Sequence, residues 1–121
     1  MKCLVVDDSL TMRRIVASVL KTIGVNEVVE ASNGAEGLAK TDGSIDFIIT
    51  DWNMPVMGGL EFVRALRGRS ESAKTPILMV TTRSSEDDII RAAEAGVNGY
   101  LLKPFTPQTL QDKINQITAA V

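Results

Sequence analysis

Histidine is absent from this chain of 121 residues, and that one absence removes several chemistries. A Ser-His-Asp triad, a His-ligated metal site and a phosphohistidine carrier are excluded, because each needs an imidazole. Cysteine occurs once, as Cys3, so neither an internal disulfide nor a multi-thiolate cluster can form, and the usage fits a reducing compartment. Cys3 lies in an apolar run and reads as a buried core thiol. Aromatic residues make up 4% of the chain, and 13 basic against 15 acidic residues leave a net charge of −2. A nucleic-acid surface usually needs a basic stripe and stacking rings, so the composition argues against one. The longest apolar runs, Cys3–Val6 and Ile77–Val80, hold four residues each, against roughly 20 for a membrane span. No secretory signal is expected, since the apolar stretch after Lys2 meets Asp7 and Asp8 too soon. These absences together suggest a cytoplasmic protein that binds neither membrane nor nucleic acid.

What is present is ordinary for a globular protein: 45% hydrophobic and 23% charged residues, with length for one domain over residues 1–121. Short β-like runs alternate with helical patterns. The strand candidates are Cys3–Val6, Glu27–Ala31, Phe47–Thr50, Ile77–Thr81 and Gly99–Lys103, the central ones continuously apolar as in a parallel sheet covered on both faces. Met12, Ile15, Val16, Val19, Leu20 and Ile23 recur at helical spacing, with Gly24 as the stop. Leu38 follows a Ser32-Asn33-Gly34 turn in a short second helix. Leu60, Val63 and Leu66 mark a third, ending near Gly68, and Gly68–Lys74 reads as a polar loop. Ser85 before Glu86, Asp87 and Asp88 opens a fourth, with Ile90 and Ala93 as its buried stripe, Ile89 nearer solvent and Gly96 at its end. Thr106-Pro107 opens a fifth over Leu110, Ile114 and Ile117. Five strands alternating with five helices predict a doubly wound α/β fold.

In such a fold, ligands bind beyond the carboxyl ends of the strands, where strand order reverses. The residues closing the strands are therefore informative. The first ends in Asp7-Asp8, the third in Asp51, the fourth in Thr81-Thr82 and the fifth in Lys103. Taken singly each has a bland reading: Asp8 or Ser9 as a helix cap, Asp51 as a loop acid, Lys103 as a solvated tail. Capping does not explain why acids and a lysine stand at matching strand ends. Two carboxylates about 5 Å apart repel by roughly 3 kcal/mol at an effective dielectric near 20. A hard divalent cation relieves this, and Mg²⁺ takes one or two carboxylates and keeps open positions that suit a phosphoryl group.

At these residues the sequence resembles the receiver domains of two-component response regulators, particularly the single-domain regulators of chemotaxis. The match runs from Lys2 to the last helix through V-V-D-D-S at Val5–Ser9, D-W-N-M-P at Asp51–Pro55, L-M-V-T at Leu78–Thr81 and G-Y-L-L-K-P-F-T at Gly99–Thr106. The resemblance implies a flavodoxin-like sheet of order 2-1-3-4-5. It implies that Asp51 accepts a phosphoryl group from a histidine kinase. Asp8 and Asp51 would ligate Mg²⁺ directly, Asp7 through water, and the backbone carbonyl of Asn53 would complete the protein ligands. Lys103, joined to Pro104 by a cis peptide, would neutralise a phosphoryl oxygen. Thr81 would hydrogen-bond the phosphoryl group, and Tyr100 would swing inward behind it. The fourth helix, fifth strand and fifth helix would form the output face, with Ile89, Tyr100 and Lys113 on it. The target would be the flagellar motor switch, with the chain acting as a monomer. Two departures stand out. Gly58-Gly59 replaces the acid-glycine pair common in the family, and Arg83 lies at a variable position that tunes phosphoryl lifetime.

Only 18 residues follow Lys103, room for one helix, so output is expected through protein contact. Within the class, a phosphorelay intermediate or a kinase-regulating adaptor is the alternative. An enzyme of the haloacid-dehalogenase type, turning over external phosphomonoesters, needs a second Asp two residues after its nucleophile; here Trp52-Asn53 follow Asp51. A flavin phosphate would be repelled by Asp7-Asp8. The chain is therefore expected to catalyse only its own phosphorylation and dephosphorylation.

Overall fold

Strands that are apolar on every residue need cover on both faces, and the computed structural model, which describes residues 1–119, supplies it with helices. The order is β1 (Lys2–Val6), α1 (Leu10–Thr22), β2 (Glu27–Ala31), α2 (Gly34–Lys40), β3 (Phe47–Thr50), α3 (Gly59–Arg67), β4 (Ile77–Thr81), α4 (Glu86–Ala95), β5 (Gly99–Leu102) and α5 (Pro107–Thr118). All pairings are parallel and the strands lie in the order β2-β1-β3-β4-β5. This is the flavodoxin-like doubly wound arrangement.

Alternation along each strand divides the interior into two layers. Cys3, Val5, Phe47, Ile49, Leu78 and Val80 point toward α1 and α5, where they meet Val16, Leu20, Leu110 and Ile114. Leu4, Val6, Ile48, Ile77 and Met79 point the other way, toward Phe62, Val63 and Leu66 of α3 and Ala92 of α4. Cys3 is fully buried, and burial raises its thiol pKa well above the usual value.

The helix starts follow their caps. Ser9 accepts from the Met12 N–H, Asn33 from Glu36, Ser85 from Asp88 and Thr106 from Thr109. Pro107 occupies the first turn of α5. Gly96 closes α4 with φ 116°, the left-handed region that glycine adopts without strain.

Two expectations need correction. β5 stops at Leu102, although the Lys103 N–H still donates to the Thr81 carbonyl at 2.9 Å and so extends the ladder by one bond. The 68–74 segment is the expected polar loop, and within it Ser72 is fully buried, its hydroxyl donating to the Leu66 carbonyl at 2.6 Å. The larger correction concerns α4. Ile90 is 47% exposed and Ala93 is exposed, while Ala92 and Ala95 face the core. The inward stripe is Asp88, Ala92 and Ala95, spaced i, i+4, i+7. It begins with an acid, so a search for apolar periodicity selects the wrong face.

Candidate functional site

Register places the acids before their side chains do. Val6 of β1 pairs with Thr50 of β3, so the next residues, Asp7 and Asp51, leave neighbouring strands at one level. This is where strand order reverses, since β1 is flanked by β2 and β3. The Asp7 N–H still donates to the Ala31 carbonyl, and the Asp51 N–H to the Val6 carbonyl. Both acids thus grow out of the sheet's own hydrogen bonding.

Asp7 is buried at 5% exposure, Asp51 is partly buried and Asp8 is exposed. One carboxylate oxygen from each lies within 4.8 Å of the others. The Lys103 ammonium enters between two of them, 2.9 Å from Asp51 Oδ2 and 3.1 Å from Asp7 Oδ2. Burial alone would lower the Lys103 pKa, but hydrogen bonds to Asp51 and Asp7 and their charges outweigh it and raise the value. The other Asp7 oxygen accepts the Ser9 N–H at 2.9 Å, and the other Asp51 oxygen accepts the Trp52 N–H at 2.6 Å. Among the described residues no hydrogen bond or ion pair ends on the Asp8 carboxylate. Ser9, not Asp8, caps α1. Three carboxylates against one ammonium leave an excess of negative charge on hard oxygen donors. That donor set fits a divalent cation such as Mg²⁺.

The rim is built from two loops. Gly59 opens α3 directly beneath Asp51, where a Cβ would lie 2.1 Å from the Asp51 carbonyl oxygen, so only glycine lets the helix start there. Gly58 caps that helix without a side-chain hydrogen bond, which is the physical consequence of the missing acid. Val56 adopts φ 67° and stands 84% exposed, at the centre of a turn in which the Met57 N–H donates to the Pro55 carbonyl at 2.7 Å. A β-branched residue in that region is strained, and strain of this kind concentrates at functional loops.

From the opposite loop, Arg83 reaches across. Its guanidinium donates to Asn53 Oδ1 at 2.9 and 3.2 Å, approaches Asp88 at 3.4 Å and lies 4.6 Å from the centroid of Trp52. Its N–H donates to the Thr81 hydroxyl at 3.2 Å, and its carbonyl accepts the Tyr100 hydroxyl at 2.7 Å. Tyr100 is half-buried, with its ring against the α3–α4 layer. Ile89 is 38% exposed on α4, and Lys113 is half-buried on α5. The Lys103–Pro104 peptide is cis.

Asp7, Asp8, Asp51 and Lys103 therefore converge. Thr81, Asn53 and Tyr100 join the same end of the sheet through Arg83, and Ile89 and Lys113 lie on flanking helices. Sequence reasoning missed Arg13, whose guanidinium donates to the Asp7 carbonyl at 2.6 Å and to Glu30 at 3.0 Å. The available signal was its place four residues after the Ser9 cap, because helical side chains lean back toward the N-terminus.

Comparison with known proteins agrees with this geometry. Residues 3–115 match the family model described as response regulator receiver domain. The chain is 47% identical over 119 residues to chemotaxis protein CheY1 of Helicobacter pylori, covering 97% of this chain and 96% of that protein. It is 48% identical over 118 residues to chemotaxis protein CheY of Pseudomonas aeruginosa, covering 97% and 95%. Among solved structures, chemotaxis protein CheY4 of Vibrio cholerae superposes with a TM-score of 0.88 at 43% identity, covering 96% of this chain and 97% of that one. A sheet of order β2-β1-β3-β4-β5 that carries an acid cluster at its reversal point, with relatives of this closeness, places the chain in the response-regulator receiver family, among its CheY-like members.

Proposed function

We propose that this protein is a phosphorylation-switched chemotaxis regulator in which Asp51 is the phosphoryl acceptor. The observation that carries the reading is Lys103 bonded to Asp51 and Asp7 at once, within a cluster of three carboxylates. An Asp51 oxygen attacks the phosphorus of a histidine kinase's phosphohistidine. The new P–O bond forms as the P–N bond breaks, and the leaving imidazole keeps the electron pair. Little covalent work falls to the protein, so catalysis is positioning and charge neutralisation. Lys103 screens one phosphoryl oxygen. Asp7, Asp8, Asp51 and the Asn53 carbonyl would hold Mg²⁺, which would supply the remaining positive charge.

The switch runs through the backbone of Arg83, whose N–H bonds the Thr81 hydroxyl and whose carbonyl accepts the Tyr100 hydroxyl. A Thr81 hydroxyl that turns to the phosphoryl group releases the Arg83 N–H, and the loop gripped by Tyr100 shifts with it. Output is read on α4, β5 and α5, where Ile89, Tyr100 and Lys113 lie, by a target protein that we take to be the flagellar motor switch. The chain acts only on its own carboxylate and serves no external substrate. The regulator works in the cytoplasm; no helix among the described residues is long and apolar enough to cross a membrane.

Incubation with acetyl phosphate and Mg²⁺, followed by intact mass, tests the assignment. The parent should gain one phosphoryl group and Asp51→Asn none, because an amide is a poor nucleophile of the same shape. Metal at about 100 times its dissociation constant should stabilise the parent by roughly 2.7 kcal/mol and change Trp52 emission. Full modification of Asp51→Asn, or turnover of unrelated phosphomonoesters, would overturn the reading.

A further inference from the structure

Of the three acids, Asp8 is the one whose side chain nothing restrains. Asp7 is held by Ser9 and Lys103, and Asp51 by Trp52 and Lys103. Asp8 is exposed, and among the described residues its carboxylate has no partner. Its direction must therefore be set by its backbone. That backbone begins at the Asp7–Asp8 peptide, whose carbonyl oxygen receives Arg13 Nη1 at 2.6 Å.

Arg13 is itself fixed. Its side chain is 15% exposed, its Nε donates to Glu30 Oε1 of β2 at 3.0 Å, and its own N–H donates to the Ser9 carbonyl at 3.0 Å. Glu30, Arg13 and the Asp7 carbonyl form a strut running from β2 through α1 to the peptide plane that carries Asp8. A planar guanidinium can serve both ends of such a strut; an ammonium makes a point contact and cannot.

We infer that Arg13 is a positioning residue for the metal site, fixing the Asp7–Asp8 peptide so that the exposed Asp8 carboxylate faces Asp51. The inference rests on the proposed Mg²⁺ site and adds a residue to it. Removing a cation near three acids would by itself favour a divalent ion, so the informative variant is Arg13→Lys, which keeps the charge and loses the fork.

The test is a Mg²⁺ titration of the folded protein, followed by Trp52 emission and by calorimetry, with folding checked by circular dichroism in chelator. Arg13→Lys should bind Mg²⁺ on the order of tenfold more weakly than the parent, the range for losing a partner that orients a ligand. A charge-balanced pair, Arg13→Met with Glu30→Gln, should show the same loss and serves if the lysine variant does not fold. A residue that merely ties α1 to β2 would lower the melting temperature in chelator yet leave the affinity of the folded protein unchanged. Affinity within about twofold of the parent in a folded variant overturns the inference, being far below the loss expected of an orienting partner. A parent that binds no Mg²⁺ overturns the metal site as well, which separates the two failures.

Discussion

The two helices that flank β5 are held in opposite ways. α5 is fastened along its length: Leu110, Ile114 and Ile117 are buried, and its first turn is closed by reciprocal Thr106 and Thr109 bonds behind Pro107. α4 buries only Ala92 and Ala95 and leaves Ile89 and Ile90 at 38% and 47% exposure. Its anchors are at its ends. Arg67 of α3 donates to the Gly96 carbonyl at 3.1 and 2.8 Å, just past the last turn, and Arg83 from the preceding loop approaches Asp88 at 3.4 Å in the first. A helix seated on two alanines and pinned by polar contacts can shift at modest cost, whereas one seated on three large aliphatic residues cannot. The more lightly seated helix is also the one whose leading turn touches the loop of Arg83. Its exposed isoleucines lie on the output face proposed above.

The contrast breaks most visibly at the apolar contacts. Ile114→Ala removes a fully packed side chain and should cost about 2–5 kcal/mol, a fall of roughly 10 °C or more in melting temperature. Ile90→Ala removes one already half in water and should cost less than about 1 kcal/mol. Paired thermal melts decide it. Equal losses would mean that α4 is seated by its isoleucines after all.

An intermediate effect is expected at the polar anchors. Arg67 donates to the carbonyls of Ser72, Ala73, Thr75 and Gly96 and to the Asn98 side chain. Burial lowers its pKa, yet the acceptors are neutral, so its loss strands several of them. Arg67→Met should cost about 1–3 kcal/mol, and hydrogen exchange should show protection lost first at the α4 amides. Loss spread evenly over α3, α4 and α5 would make Arg67 a general support and not an anchor of α4.

The same contrast explains what the sequence could and could not disclose. The strands were legible because a buried parallel sheet demands unbroken apolar runs, and Phe47–Thr50 and Ile77–Thr81 stand where expected. Caps were legible because Ser85 and Thr106 act within three residues of themselves. The convergence of Asp7, Asp8, Asp51 and Lys103 was legible because parallel strands bring their carboxyl ends to one edge. The face of α4 was not, because its inward stripe starts with Asp88 and continues with alanines. The arginine contacts were equally hidden: Arg67 reaches Gly96 across 29 positions and Arg13 reaches Glu30 across 17. Long flexible side chains carry no periodic signature, and backbone carbonyls as acceptors leave no trace in residue identity.

The smallest effect concerns a bond that joins β5 to the approach of α4. The Tyr100 hydroxyl donates to the Arg83 carbonyl at 2.7 Å, and Tyr100→Phe should cost about 0.5–1.5 kcal/mol at neutral pH. Burial raises the Tyr100 pKa above 10.0, and the nearby Asp88 and Asp51 charges add to this against an opposing pull from Arg83. A phenol whose pKa is higher in the folded state contributes stability that is fully present below its unfolded value and is lost as the pH climbs through the folded one. The parent should therefore converge on the Phe variant above pH 10. Both should still weaken there, because Lys103, raised through Asp51 and Asp7, also loses its proton on the alkaline side. Denaturant unfolding of both proteins across that range is the measurement. A gap that persists unchanged through the alkaline limb would show that the phenol keeps its proton, whereas no gap even at neutral pH would show that the bond contributes nothing, leaving Arg67 and Arg83 to pin α4.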